Sequence, residues 1–204
     1  MDRSKLETRF VEVKDFQVEE RADKAPVLVG YAARYNTLSQ DLGGFKERFL
    51  PHAFARTLEN GPDVIALAQH DDTKVLGRRS AGTLTLEDDP WGLKVEITPP
   101  KTSYGLDILE SVRRKDIGGM SFAFVAQDEE LIKEGDGWVR EVRDADLYEV
   151  SVVTSPAYLQ SKVKVRSEVI EQLEALQKPE PEEYQPSLNM LDKIQIQKQA
   201  ELAI

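Results

Sequence analysis

The sequence predicts a mainly β chain of the α+β class. Its expected form is an antiparallel β-barrel of about seven strands, with helices in the connections and a helical tail. Two observations carry this. Most apolar residues alternate with a period of two, the spacing of half-buried strands, and no strand–helix–strand rhythm repeats. Near Arg166 the composition changes: from Glu168 to the end, 8 acidic and 3 basic residues give −5, half of the chain's net charge of −10. The expected division is a folded domain over 1–166 and an acidic linker with a helical tail over 167–204.

Thr8 to Gln17 alternates well enough for one strand, and Val27 to Tyr35 is a second, with Gly30 at a bulge or close approach. Phe45 to Phe49 is short and extended. Pro51 suits the first turn of a helix over His52 to Leu58, closed by Asn60-Gly61-Pro62. Val64 to His70 is a strand of buried type. Thr83 to Glu87 and Leu93 to Ile97 flank Asp88-Asp89-Pro90-Trp91-Gly92, the strongest hairpin signal in the chain. Thr102 or Ser103 caps a helix running to Lys115, with a stripe of Leu106, Leu109 and Val112 widened by Ile108. Gly118-Gly119 enter tightly, with φ > 0 available, into a strand over Met120 to Ala126. Trp138 to Val142 returns, and Leu147 to Thr154 is a long last strand. Glu168 to Gln177 is helical in pattern, Lys178 to Glu183 is broken by two prolines, and Asn189 to Ile204 is helical again.

Composition removes several classes of function. No apolar run approaches the ~20 residues of a membrane span, and Met1 to Glu7 has no apolar core of a secretory signal. The absence of Cys removes disulfide and thiolate chemistry, and two His cannot build a polyhistidine zinc site. The acidic balance argues against binding along a nucleic-acid backbone.

Three residues have the chemistry of a nucleophilic site. Met120, Phe122 and Phe124 point one way and Ser121, Ala123 and Val125 the other, so the Ser121 hydroxyl has small neighbours. Taken alone, Ser121 is either a nucleophile or a small polar residue where a strand begins. His70 ends its strand either bonded to solvent or a carbonyl, or as a general base, since an imidazole near neutral pH is largely able to accept a proton. Glu149 alternates with Leu147 and Ser151 on one face. It is either a surface acid or the carboxylate that fixes the imidazole's tautomer, and Asp146 is a second candidate for that role. Arg78 and Arg79 read as a charged loop.

The strings Gly30-Tyr31-Ala32-Ala33-Arg34-Tyr35-Asn36, Phe49-Leu50-Pro51-His52-Ala53-Phe54, Ala68-Gln69-His70-Asp71, Leu76-Gly77-Arg78, Ile117-Gly118-Gly119-Met120-Ser121-Phe122 and the run from Leu147 to Tyr158 stand in an order that resembles the tailed-phage prohead maturation proteases. Their fold is related to the herpesvirus assemblin serine proteases, and the resemblance covers roughly Val27 to Val165. It implies a serine endopeptidase without metal or cofactor, with Ser121 as nucleophile, His70 as base and Glu149 as third member. It further implies the Ala157 N–H in the oxyanion hole, and Gly118 and Gly119 where a substrate backbone approaches. The implied substrates are the major capsid protein, scaffold segments and the chain itself, inside the prohead in the host cytoplasm, with a homodimer as working form. The alternative is a catalytically silent barrel that assists shell assembly. His52 stands where the family usually has glycine, so it is not expected to act in catalysis.

Overall fold

The computed structural model describes residues 5–12, 16–22, 25–154 and 167–177. Ten strands and three helices appear among them, in the order β1 (Glu7–Glu12), β2 (Gln17–Glu19), β3 (Val27–Arg34), β4 (Lys46–Phe49), α1 (Ala55–Asn60), β5 (Ile65–Ala68), β6 (Asp71–Arg78), β7 (Leu84–Asp89), β8 (Gly92–Ile97), α2 (Ser103–Arg113), β9 (Gly119–Glu134), β10 (Gly137–Val153) and α3 (Ser167–Gln177). No helix among the described residues is long and apolar enough to cross a membrane. The chain forms two compact units, Met1–Leu173 and Glu174–Ile204, and the second is described only over the end of α3.

The expected single barrel is replaced by two sheets. One runs β1-β9-β10-β5-β6 with β4 also on β10, and the other runs β2-β3-β8-β7. The reason lies in the length of β10. Its first part pairs in parallel with β4 (Val139 with Lys46 through Val142 with Phe49), and its last part pairs in parallel with β5 (Glu149 with Ile65 through Val152 with Ala68). A strand with two parallel partners on one side builds a mixed sheet. A parallel bridge between Tyr35 and Phe49 links the two sheets. The expected strand over Thr8 to Gln17 is likewise divided, β1 going to the first sheet and β2 to the second.

One apolar cluster takes side chains from both sheets. Leu28, Leu93, Val95 and Ile97 come from the second, and Met120, Phe122, Phe124, Leu147, Val150 and Val152 from the first. At its centre Phe49 stacks on Phe54 at 5.3 Å and meets Phe122 and Phe124 edge-on at 5.3 and 5.1 Å, geometries that add to burial alone. Val169 and Leu173 of α3 pack separately against Phe45. In α2 Leu109 and Val112 are buried and Ile108 packs beside them as expected, while Gly105 takes the buried place expected of Leu106, which faces out.

Helix α1 begins at Ala55 rather than His52, because His52 has φ +67°, a left-handed backbone that no helix accepts. This also explains why glycine suits the position in the family that the sequence resembles. The His52 ring is bonded away from β5, with Nδ1 2.7 Å from Asp88 Oδ2. In the β7–β8 hairpin, Asp89 Oδ1 accepts from the Trp91 and Gly92 N–H groups at 2.7 and 3.0 Å. A Cβ on Gly92 would lie 2.1 Å from the Ala33 carbonyl oxygen. Gly92→Ala should therefore destabilise by about 1–3 kcal/mol, read as a lower midpoint in thermal melts.

Beneath β1 lies a buried ionic network. Arg140 of β10 donates to Glu7, Glu47 and Glu129, and Arg9 of β1 donates to Glu7 and Glu47. It ties β1, β4, β9 and β10 together; Glu7, Arg9, Glu47 and Arg140 are almost wholly excluded from water, and Glu129 is half-buried.

Candidate active site

The site is built where the β5–β6 hairpin meets the last part of β10. Ala68 pairs with Asp71, so Gln69 and His70 are the two central residues of a tight turn. Their φ values are +56° and +59°. Such a turn matches the twist of the flanking strands but favours Asn-Gly, because a side chain in the left-handed region costs about 1–2 kcal/mol per residue. Two bonds hold it in place: the Gln69 N–H donates to the Val152 carbonyl at 2.9 Å, and the His70 N–H donates to Ser151 Oγ at 3.3 Å.

Glu149 arrives through a bulge. The β9–β10 register shifts between Leu147 and Glu149, so Leu147 pairs with Phe124 and Glu149 with Ala123. Leu147 and Val150 both enter the core, and Glu149 and Ser151 take the opposite face. Leu147 thus does not share the face of Glu149, contrary to the simple alternation. Thr57 of α1 holds the strand just before the bulge: its Oγ1 donates to the Ala145 carbonyl at 2.8 Å and accepts the Leu147 N–H at 3.1 Å.

The structure brings His70 and Glu149 together, with His70 Nδ1 2.5 Å from Glu149 Oε1. Ser151 Oγ donates to the same oxygen at 2.6 Å. Burial alone would raise the Glu149 carboxyl, but the bonds from His70 and Ser151 hold it below the usual range. An ionised carboxylate only accepts, so Nδ1 carries the proton and Nε2 presents a lone pair. About a third of the His70 side chain (36%) reaches solvent.

Ser121 lies on the same face of the sheet. It pairs directly with Ser151, as Ala123 does with Glu149, which places their Cβ atoms about 4.5–5.5 Å apart. The Ser121 hydroxyl is buried and donates to the Arg9 carbonyl of β1 at 2.8 Å, not to His70. Asp146 is engaged elsewhere, with Oδ1 2.7 Å from Arg56 and Oδ2 accepting from Gln127 at 2.9 Å. Arg78 bonds Asp63, and Arg79 bonds the Thr57 and Leu58 carbonyls at the end of α1, so both have structural partners. Gly118 has open space around its Cβ position, and Gly119 begins β9. Neither has positive φ; that conformation falls on Lys115 (φ +64°), which stops α2. Ala157 lies outside the described residues. Ser151 is the residue that sequence reasoning missed. Its place two positions after Glu149 was visible, but its two bonds depend on the turn at His70.

Among curated proteins no sequence matches this chain. The solved structure of the bacteriophage T4 capsid assembly protease, gp21, is similar with a TM-score of 0.45 and 11% identity, over 74% of this chain and 96% of that one. The profile of the caudovirus prohead serine proteases matches residues 13–176. That span takes in the His70 turn, β9 and β10, and on this match the chain belongs to the caudovirus prohead serine protease family.

Proposed function

We propose that this chain is a serine endopeptidase that cleaves scaffold and capsid-protein segments, and itself, inside an assembling prohead. Ser121 is the nucleophile, His70 the general base and Glu149 the residue that orients the imidazole. The observation that carries this reading is the 2.5 Å bond from His70 to Glu149, on the face of the sheet that also holds Ser121. The Ser121 oxygen attacks the scissile carbonyl while its proton passes to His70 Nε2. The tetrahedral adduct collapses to an ester as that proton goes to the leaving amine. A water, deprotonated by the same nitrogen, then hydrolyses the ester. The Ala157 N–H is assigned to the oxyanion by resemblance. In the state described, the Ser121 hydroxyl must first turn from the Arg9 carbonyl toward the imidazole.

The second reading, a shell-assembly protein without turnover, has one observation in its favour: Ser121 is buried and its hydroxyl is already engaged. The two readings separate when full-length wild type and Ser121→Ala are each incubated with the coat and scaffold polypeptides of their own prohead. Mass spectrometry should find fragments with wild type alone. Equal fragmentation by both removes Ser121 from the role. No fragments from either folded protein favours the assembly reading. A self-associated working form would show as specific activity that rises with protein concentration.

A further inference from the structure

We propose that Ser151 is a positioning residue of this site: it sets both the carboxylate oxygen that meets the imidazole and the main-chain position of His70. The inference rests on the protease reading above. Ser151 is wholly buried, and its hydroxyl has one proton to give and lone pairs to receive. The proton goes to Glu149 Oε1 at 2.6 Å, the same oxygen that meets His70 Nδ1 at 2.5 Å. A lone pair takes the His70 N–H at 3.3 Å. One side chain thus bridges the acid and the backbone of the base.

The turn explains why such a bridge is needed. Gln69 and His70 both hold left-handed backbone with full side chains, a conformation that persists only where the surroundings impose it. β5 pairs with β10 up to Val152–Ala68 and stops there, so past Ala68 the turn is pinned by the Gln69 N–H on Val152 and the His70 N–H on Ser151. Ser151 also pairs directly with Ser121 across β9 and β10, so the residue that fixes the base stands opposite the proposed nucleophile. Ser151 is not itself placed to attack. Its proton is directed to a carboxylate rather than to the imidazole, and it has no exposed surface.

The test uses the full chain and p-nitrophenyl acetate, an activated ester that reports serine acylation by release of p-nitrophenolate. Wild type, Ser121→Ala, Ser151→Ala and Ser151→Thr are compared, with mass spectrometry to locate the acetyl group. For Ser151→Ala, kcat should fall by about 10- to 100-fold with KM within about 2-fold, because a displaced base loses rate rather than binding. Ser151→Thr keeps the hydroxyl and should recover most of kcat. The proposal is overturned if Ser151→Ala keeps wild-type kcat, or if Ser151→Thr loses as much as Ser151→Ala, which would mark a packing role. It is also overturned if the acetyl group sits on Ser151. Wild type that shows no Ser121-dependent acylation overturns the protease reading itself, whereas Ser121-dependent acylation untouched by Ser151→Ala overturns the positioning role alone.

Discussion

Replacing His70 with alanine should lower the turnover of prohead polypeptides by a factor on the order of 10⁶, and replacing Glu149 with glutamine by about 10⁴. The difference follows from what each group does. In the proposed mechanism the Ser121 proton passes to His70, so without that imidazole the proposed nucleophile remains an alcohol. In Glu149→Gln the imidazole is still present, but the new amide can present its NH₂ group to Nδ1 and select the wrong tautomer, leaving the lone pair turned away from the serine. Glu149 is held below the usual carboxylate range by His70 and Ser151 against its burial. Mild acidification should therefore leave the Glu149 carboxylate ionised. The measurement is the initial rate of fragment appearance against pH for the three proteins, with thermal melts to show that each is folded. A Glu149→Gln rate equal to wild type would take the orienting role from Glu149. Asp146 would not inherit it in this state, being held by Arg56 and Gln127.

How far the sequence could be read depends on which interactions leave a local trace. The β7–β8 hairpin was legible because Leu84, Leu86, Leu93, Val95 and Ile97 alternate around a turn built from Asp, Pro and Gly. The β9 strand was legible for the same reason, its Met120, Phe122 and Phe124 facing one core. Strand β6 was not, because it lies at a sheet edge with most of its first half exposed, and Asp71-Asp72-Thr73-Lys74 carries no alternation. The pairing of both halves of β10 with separate parallel partners leaves no mark in any single segment, which is why an antiparallel barrel was expected. Ser121, His70 and Glu149 were singled out through a resemblance, and the residues alone left each of them ambiguous. The bulge before Glu149 was hidden, since one inserted residue breaks the period that alternation relies on. The buried charges of β1 were hidden too: Glu7 and Arg9 look like the polar side of an exposed strand until Glu47, Glu129 and Arg140 are placed beside them.

Arg140→Met should destabilise the folded unit by about 3–5 kcal/mol, the usual consequence of removing one partner from a buried ion pair. The wild-type guanidinium is almost fully buried. It donates to Glu7 at 2.6 and 2.7 Å, to Glu47 at 2.6 Å and to Glu129 at 2.6 Å. Methionine fills similar space but takes the Arg140 cation away from Glu7, Glu47 and Glu129, while Arg9 still pairs with Glu7 and Glu47. In a chain of this size the expected fall in melting midpoint is roughly 6–20 °C. The pH dependence separates lost charge pairing from poor packing. In the wild type, burial would raise the Glu7 carboxyl, yet Arg140 and Arg9 hold it below the usual range. Its contribution is therefore present above the carboxyl's unfolded value and lost as pH falls through the depressed folded value. In the variant burial is no longer offset by Arg140, the folded value rises, and the cost of ionising Glu7 disappears as pH falls. The gap in stability between the two proteins should thus be widest near neutral pH and should narrow toward about pH 4, the ordinary carboxyl range, whereas a packing defect would keep it constant. The same loss bears on the site, because Glu7 and Arg9 anchor β1, and β1 supplies the carbonyl that holds the Ser121 hydroxyl. Amide exchange at Phe10, which pairs with Ser121, should accelerate in Arg140→Met more than exchange in the β7–β8 hairpin.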